Sequence, residues 1–570
     1  MKLRTLLPVI VVLSLMPAGL GAQTNLSVDL QDPVYQLLEL GELKGALSRL
    51  SAVRPYSRSQ VVALLERMWD GRSRFSPAEQ AVLDDTLRRF GEDTSGLRHG
   101  NFTYRQDSER AKKLQVGADL RSRFRLNANS PENWHLDSVL RPYLRGDLVP
   151  WLSYLGIIGV TLDRVRADEA FAPYGFSKQW DAIHFSLQGP MGGEELDYPA
   201  ISYDLQTEIT AQLLHDSVRL SLARQRREWG IGDGSLTLGG SARPFVGVEA
   251  HVELAPWLFI HHLVGSLSNW EKEPASIGAE SGTLTYQKLF ALQRLEILPL
   301  RWLYLSASST VVGAKRFELN YAAPLLAGVL AQNLIADLDN DGVGVDLAVT
   351  VPPFGRAFFS LYADEMHITN PSDFFTRPRN MFALQGGLKV PVPGLPFAAL
   401  TVQYTKIEPF TYTHYPTWYP DYRMQVDTAY THDGENLAYP LWPNSDELLV
   451  KLTSVPVPSL RAGLEYRMIR HGDNPSRVPG DPATLGRPDG YYDYSVSEDS
   501  YPDKAFLHDG LYDHNHIVTL SGEYSIPRSP VTVGLSYTFA YTYWEPNDSG
   551  ELDRPDLMRN IVGLEVKVFR

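Results

Sequence analysis

Cysteine is absent from the 570-residue sequence. Its absence excludes disulfides, thiolate metal sites, a cysteine nucleophile and a lipid-modified cysteine behind a leader. A basic excess is also lacking. The 53 Lys and Arg are outnumbered by 67 Asp and Glu, for a net charge of −14, the wrong sign for a general nucleic-acid binder. Past the N-terminus there is no run of about 18 apolar residues, so no transmembrane helix is expected in the mature chain. A phosphate-cradling loop is missing too. Gly230 and Gly232 begin a G-x-G-x-x-G pattern, but Ser235 stands in the third glycine position. The residues after it alternate like a strand, and no Walker lysine is present.

What is there begins with "MKLRTLLPVIVVLSLMPAGLGAQT". Lys2 and Arg4 precede an apolar stretch from Leu6 to Leu15, and Gly19, Gly21 and Ala22 offer a cleavage site. Residues 1–22 therefore read as a signal peptide, too short in its apolar part to span a bilayer. Residues 32–95 read as a small helical head on the periplasmic side. Asp32-Pro33 suits a helix start, Ser57 with Gln60 and Ser76 with Glu79 have capping-box spacing, and Val61, Leu64, Leu65 and Met68 form an apolar stripe.

From about Leu114 the period becomes two. Leu114, Val116, Ala118, Leu120, Phe124 and Leu126 alternate with Gln115, Asp119, Arg121, Arg123 and Arg125. Near the end, Val531, Val533, Leu535, Tyr537, Phe539, Tyr541 and Tyr543 alternate with Thr532, Gly534, Ser536, Thr538, Ala540 and Thr542. Such runs exceed the usual strand of about five or six residues in a propeller or sandwich. They fit membrane strands, apolar towards lipid and polar towards a lumen. This also accounts for the low mean hydropathy of −0.21. Eight short turns alternate with nine long polar connections along the chain. Seventeen connections join about 18 strands. The expected fold class is therefore β, a transmembrane, antiparallel outer-membrane barrel over residues 114–570 with a small N-terminal helical bundle.

"RREWGIGDGSLTLGGSARP" (226–244) resembles a stretch of the Wzi-type capsule-assembly family, outer-membrane lectins for capsular polysaccharide. "ELNYAAPL" (318–325), "DLDNDGVGVDLAV" (337–349), "LYADE" (361–365), "QYTKIEPFTYTH" (403–414), "HDGENLAYPLWPNSDEL" (432–448) and "YRMIRHGD" (466–473) match in order. The resemblance implies an 18-stranded barrel, a periplasmic helical bundle, an obstructed lumen and a surface that holds capsule.

Candidate binding residues cluster in loop 410–445, which is rich in rings. Trp418, Tyr419, Tyr422 and Trp442 are candidate platforms for sugar faces, and Asp421, Asp433 and Asn436 candidate partners for hydroxyls. An interfacial aromatic girdle and loop packing are the alternative reading. Arg224, Arg226, Arg227 and Arg243 are expected at the lumen rim, flanking an outer glycine-rich loop. "DLDNDG" has calcium-loop spacing from Asp337, but Ala348 stands where the bidentate Glu is needed. His261 and His262 point to opposite sides of a strand and form no metal pair. No metal, cofactor or catalytic set is expected. Two functions stay open. One is a closed barrel anchoring surface polysaccharide. The other is a porin-like channel, with Arg121, Arg123 and Arg125 selecting anions. Either places the chain in the outer membrane of a Gram-negative-type envelope, as a monomer among lipid, inserted by the barrel-assembly machinery, without nucleic acid.

Overall fold

The structure, a computed structural model, describes residues 25–91, 102–105, 113–167, 183–185, 196–214, 216–268, 287–313, 318–323, 328–334, 339–366, 374–375, 380–414, 417–419, 424–426, 428–432, 435–472, 506–507, 512–545 and 555–568. The expected leader at 1–22 lies outside them.

Three helices come first: α1 (Val34–Leu43), α2 (Arg58–Asp70) and α3 (Pro77–Gly91). The capping box forms at α2, where Ser57 Oγ accepts from Gln60 N and Ser57 N donates to Gln60 Oε1 at 2.9 Å. At α3, Ser76 N donates to Glu79 Oε2 at 2.9 Å. Each device satisfies backbone donors that a helix start leaves open.

Eighteen long antiparallel strands then form the wall. They are β1 (Lys113–Asn127), β2 (Trp134–Val149), β3 (Leu152–Ala167), β4 (Leu196–Leu213), β5 (Val218–Gln225), β6 (Phe245–Ala255), β7 (Leu258–Ser268), β8 (Gln287–Leu300), β9 (Leu303–Gly313), β10 (Asn340–Val351), β11 (Gly355–Glu365), β12 (Met381–Pro391), β13 (Ala399–Ile407), β14 (Ser445–Val457), β15 (Leu460–Gly472), β16 (Tyr512–Ser525), β17 (Val531–Glu545) and β18 (Leu557–Val568). Each pairs with the next. The last closes on the first through contacts from Ile561↔Asn127 to Val568↔Leu120, which leaves no free sheet edge. Short strands Phe102–Arg105 and Ile183–Phe185 pair onto β1 and β4.

The alternation sets the two faces. Leu120 keeps 40% of its surface exposed, and Val116, Phe124, Leu140, Ile158, Leu205, Leu464, Leu520, Leu535 and Leu564 share that outer face. The outside of the barrel is thus an apolar band of the kind a bilayer covers. No helix among the described residues is long and apolar enough to cross a membrane.

The helices sit at the short-turn end and share a core with the wall. Leu37, Leu40, Val61, Leu65, Phe75 and Leu83 pack in one cluster with Phe397, Ala399 and Val455. Phe75 and Phe397 have ring centroids 5.5 Å apart, and Phe397 N donates to Glu79 Oε1 at 2.9 Å. Burying one such ring contributes about 2 kcal/mol.

Candidate functional site

Two of the long connections turn back into the barrel. The glycine-rich segment 226–244, between β5 and β6, was expected as an outer loop, but it folds into the lumen. Its Glu228–Trp229 pairs with Val53–Arg54 of the helical region. Trp229 is fully buried, and its backbone N–H donates to Leu238 O at 2.9 Å. Ser235, which breaks the nucleotide-loop pattern, closes this turn: its hydroxyl donates to Trp229 O at 2.7 Å and accepts from Thr237 N at 3.1 Å. The glycines permit close approach. Gly234 has φ +88°, and a Cβ there would lie 2.8 Å from the Tyr439 ring.

The second insertion is formed by residues 408–414, 428–432 and 435–441 of the connection between β13 and β14. Tyr412, Tyr430 and Tyr439 belong to the ring-rich loop 410–445 expected as a sugar surface, and all three are buried. Their hydroxyls bind the other insertion and the wall. Tyr412 donates to Leu236 O at 2.8 Å, Tyr430 to Thr237 O at 2.6 Å and Tyr439 to Glu447 Oε2 at 2.6 Å. Tyr362, Tyr412 and Tyr430 pack ring against ring, with centroids 5.3 to 5.7 Å apart. Together the two segments make a plug. The inward side chains of the wall beneath it, among them Glu249, Arg294, Glu296, Thr310, Gln403 and Thr405, are buried.

The four arginines expected at the lumen rim take different places. Arg224 lies on the outward face of β5 with Leu220 and Leu222, and donates to Asp204 Oδ1 at 2.5 Å and Leu205 O at 2.6 Å. Strand phase decides this, since only odd positions of β5 face inward. Arg227 is buried. It pairs with Glu249 at 2.8 Å and donates to the carbonyls of Ala223, Gln225 and Phe245, each at 2.9 Å. Its role is to tie the ends of β5 and β6 together, because a buried guanidinium needs every donor satisfied. Arg243 is also buried, and Arg226 donates to Gly240 O at 3.3 Å within the plug.

Of the candidate sugar contacts, Trp442 is open at the long-loop end. It is 39% exposed, with its ring edge-on to His471 at 5.7 Å. Asn436 closes a turn instead, donating to Leu441 O at 3.2 Å and accepting from Ala438 N at 2.9 Å. Trp418 and Tyr419 belong to a two-stranded ribbon, Thr417–Tyr419 with Met424–Val426. Asp421, Tyr422 and Asp433 lie outside the described residues. No group of His, Asp and Glu able to hold a metal occurs among the described residues.

Sequence reasoning missed a buried chain of charges beneath Trp229. His251 and His261 meet between Glu249 and Glu296, at 3.1 Å and 3.2 Å from those carboxylates. The signal was their alternation: both residues fall in the inward phase of neighbouring strands.

No family model and no curated protein sequence matches the chain. Among solved structures, it shares its fold with Wzi of Escherichia coli, described as an outer-membrane, carbohydrate-binding β-barrel involved in group 1 capsule assembly. The identity is 13% and the TM-score 0.54, over 95% of this chain and 99% of that one. OprD of Pseudomonas aeruginosa aligns at 9% identity and a TM-score of 0.39, over 80% of this chain and 94% of its own. OpdK of the same organism aligns at 11% and 0.39, over 80% and 98%, in a structure with vanillate. The fold is that of outer-membrane barrels.

Proposed function

We propose that this chain is an outer-membrane protein that binds surface polysaccharide and anchors it to the cell, without catalysing a reaction on it. The observation that carries the reading is the plug. Two long connections that an open pore would keep at its rim are spent on filling the lumen, with Trp229, Tyr412, Tyr430 and Tyr439 buried in it. An obstructed barrel presents its long-loop end as a surface, and Trp442 is an exposed ring on that surface. The shared fold with a carbohydrate-binding barrel supports the same reading.

In this reading Trp442, with Trp418 and Tyr419 from the same loop, supplies stacking faces for sugar rings. Each contact is modest, about 0.5–1.5 kcal/mol by analogy with ring pairs. Single alanine variants should therefore loosen glycan, and Trp418→Ala/Tyr419→Ala/Trp442→Ala should release it into the medium while synthesis continues. The porin-like reading gives the opposite result. The triple variant would keep its glycan, and the purified wild type would show steady conductance in planar bilayers. Conductance of that kind, with surface glycan unchanged on deleting the protein, would overturn the anchor.

A further inference from the structure

The lumen is lined differently beside the plug. The inward face of β1 carries Arg121, Arg123 and Arg125 at alternate positions, so they stand about 6.6 Å apart in one column. In register, Arg123 lies opposite Asp137 of β2 and Glu565 of β18, whereas Arg125 lies opposite His135 and Gly563. The carboxylates are shared. Asp137 meets Arg123 at 2.8 Å and Arg121 at 3.6 Å. Glu565 meets Arg121 at 3.9 Å and Lys567 at 3.0 Å.

The plug adds charge of the same sign. Burial, together with the positive charges of Arg141, Arg121 and Arg243 and against the relief from Asp29, pushes Arg226 down to about 10. Arg121, Arg123, Arg141, Arg226 and Arg243 thus feel one another's charge, with Arg125 next in the β1 column, in a protein whose net charge is −14. Unlike the buried lining under the plug, the side chains of Arg121 and Arg123 keep 21% and 34% exposure, so solvent reaches them.

We propose that this strip, between the plug and strands β1 and β2, binds the carboxylates of an acidic sugar chain. The inference rests on the glycan-binding reading above and names the chemical class. Guanidinium forks match carboxylates in a bidentate way. A column of three suits successive charges along a polymer, where a single free anion needs only one or two donors. Arg121, Arg123 and Arg125 are the contacts from the wall, and Arg226 reinforces the field from the plug.

The test is calorimetric titration of the purified full-length protein with three probes: an oligogalacturonate, an uncharged maltooligosaccharide of equal length, and inorganic phosphate. The oligogalacturonate should bind, and more weakly as salt rises. Arg121→Gln/Arg125→Gln should weaken it about tenfold or more, the scale of one lost charged hydrogen bond. Arg125→Lys, which keeps the charge without the fork, should fall between. Heat-modifiable gel migration reports whether each barrel has folded. Arg125→Gln alone is the second variant, because it leaves the Asp137 and Glu565 contacts of Arg121 and Arg123 in place. Equal binding of charged and uncharged oligosaccharide, unaffected by these variants, would overturn the acidic class and leave the glycan reading standing. Phosphate binding as tightly as the oligomer would reduce the strip to a small-anion site. No binding of either oligosaccharide, with conductance in bilayers, would remove both the inference and the reading beneath it.

Discussion

His251 and His261 face each other across β6 and β7 with their Nδ1 atoms 2.9 Å apart. Each outer nitrogen meets a carboxylate, Glu249 for one ring and Glu296 for the other. This chain is satisfied when both Nε2 atoms carry protons and a further proton lies between the rings, leaving one positive charge between two carboxylates. Trp229 covers both rings, 5.8 and 5.9 Å from their centroids. His251→Leu and His261→Leu should each lower stability by about 2–3 kcal/mol, since each leaves a buried carboxylate short of a donor. The double variant should cost less than the sum, because the shared proton is lost only once. Urea midpoints in detergent give the cycle; strict additivity would mean that the two rings do not act as a unit.

Gly239→Ala should loosen the plug. A Cβ there would overlap the carbonyl oxygen of Ala438, in the same strip where Gly239 N donates to Leu437 O at 2.8 Å. Backbone cannot swing aside as a side chain can, so the two inserted segments must part. The variant should still form a barrel and should show conductance bursts in planar bilayers that the wild type lacks. A silent variant would show that the segments move apart without opening a path.

Acid should loosen the helices from the wall. Glu39 of α1 accepts from Lys389 at 2.8 Å and pairs with Arg356 at 3.4 Å. Burial raises this carboxyl, yet Lys389 and Arg356 prevail and hold it at about 2. A depressed acid stabilises the folded state above its unfolded value, near 4.3, and that contribution fades as pH falls towards 2. At full effect it is worth about 3 kcal/mol. Glu42 acts in the opposite sense, raised by burial despite Arg356. Glu39→Gln isolates the first effect. It should lower stability at pH 6 and flatten the acid limb between about pH 4.5 and 2, followed by protease cleavage of the helical region.

The strand phase has a paired test. Leu120→Arg sets a charge on the outward band and should cost about 2–4 kcal/mol near mid-membrane. Arg121→Leu changes the inward face one residue away. Gel migration of folded barrel should drop for the first and persist for the second; the reverse would invert the assigned faces.

The wall was legible because its physics is local. A period of two and the alternation of short and long connections recur strand by strand, and Leu120 and Arg121 fall on the faces that this pattern assigns. The plug was not, because its logic is non-local. Tyr412, Tyr430 and Tyr439 read as surface rings until their partners, Leu236, Thr237 and Glu447, are brought beside them. The same holds for Arg227, whose four acceptors are divided between the end of β5 and the start of β6. The small residues beside the tyrosines, Ala429 and Ala438, both fully buried, were the available hint that these rings pack against backbone.

The seam between β1 and β18 joins the two ends of the wall, strands some 440 residues apart in the chain. With that seam paired, the wall is continuous and offers no lateral way into the lumen. Both inserted connections hang from strand ends, so the filling and its surroundings communicate only along the barrel axis. Any agent that displaces the plug must therefore act from one of the two mouths.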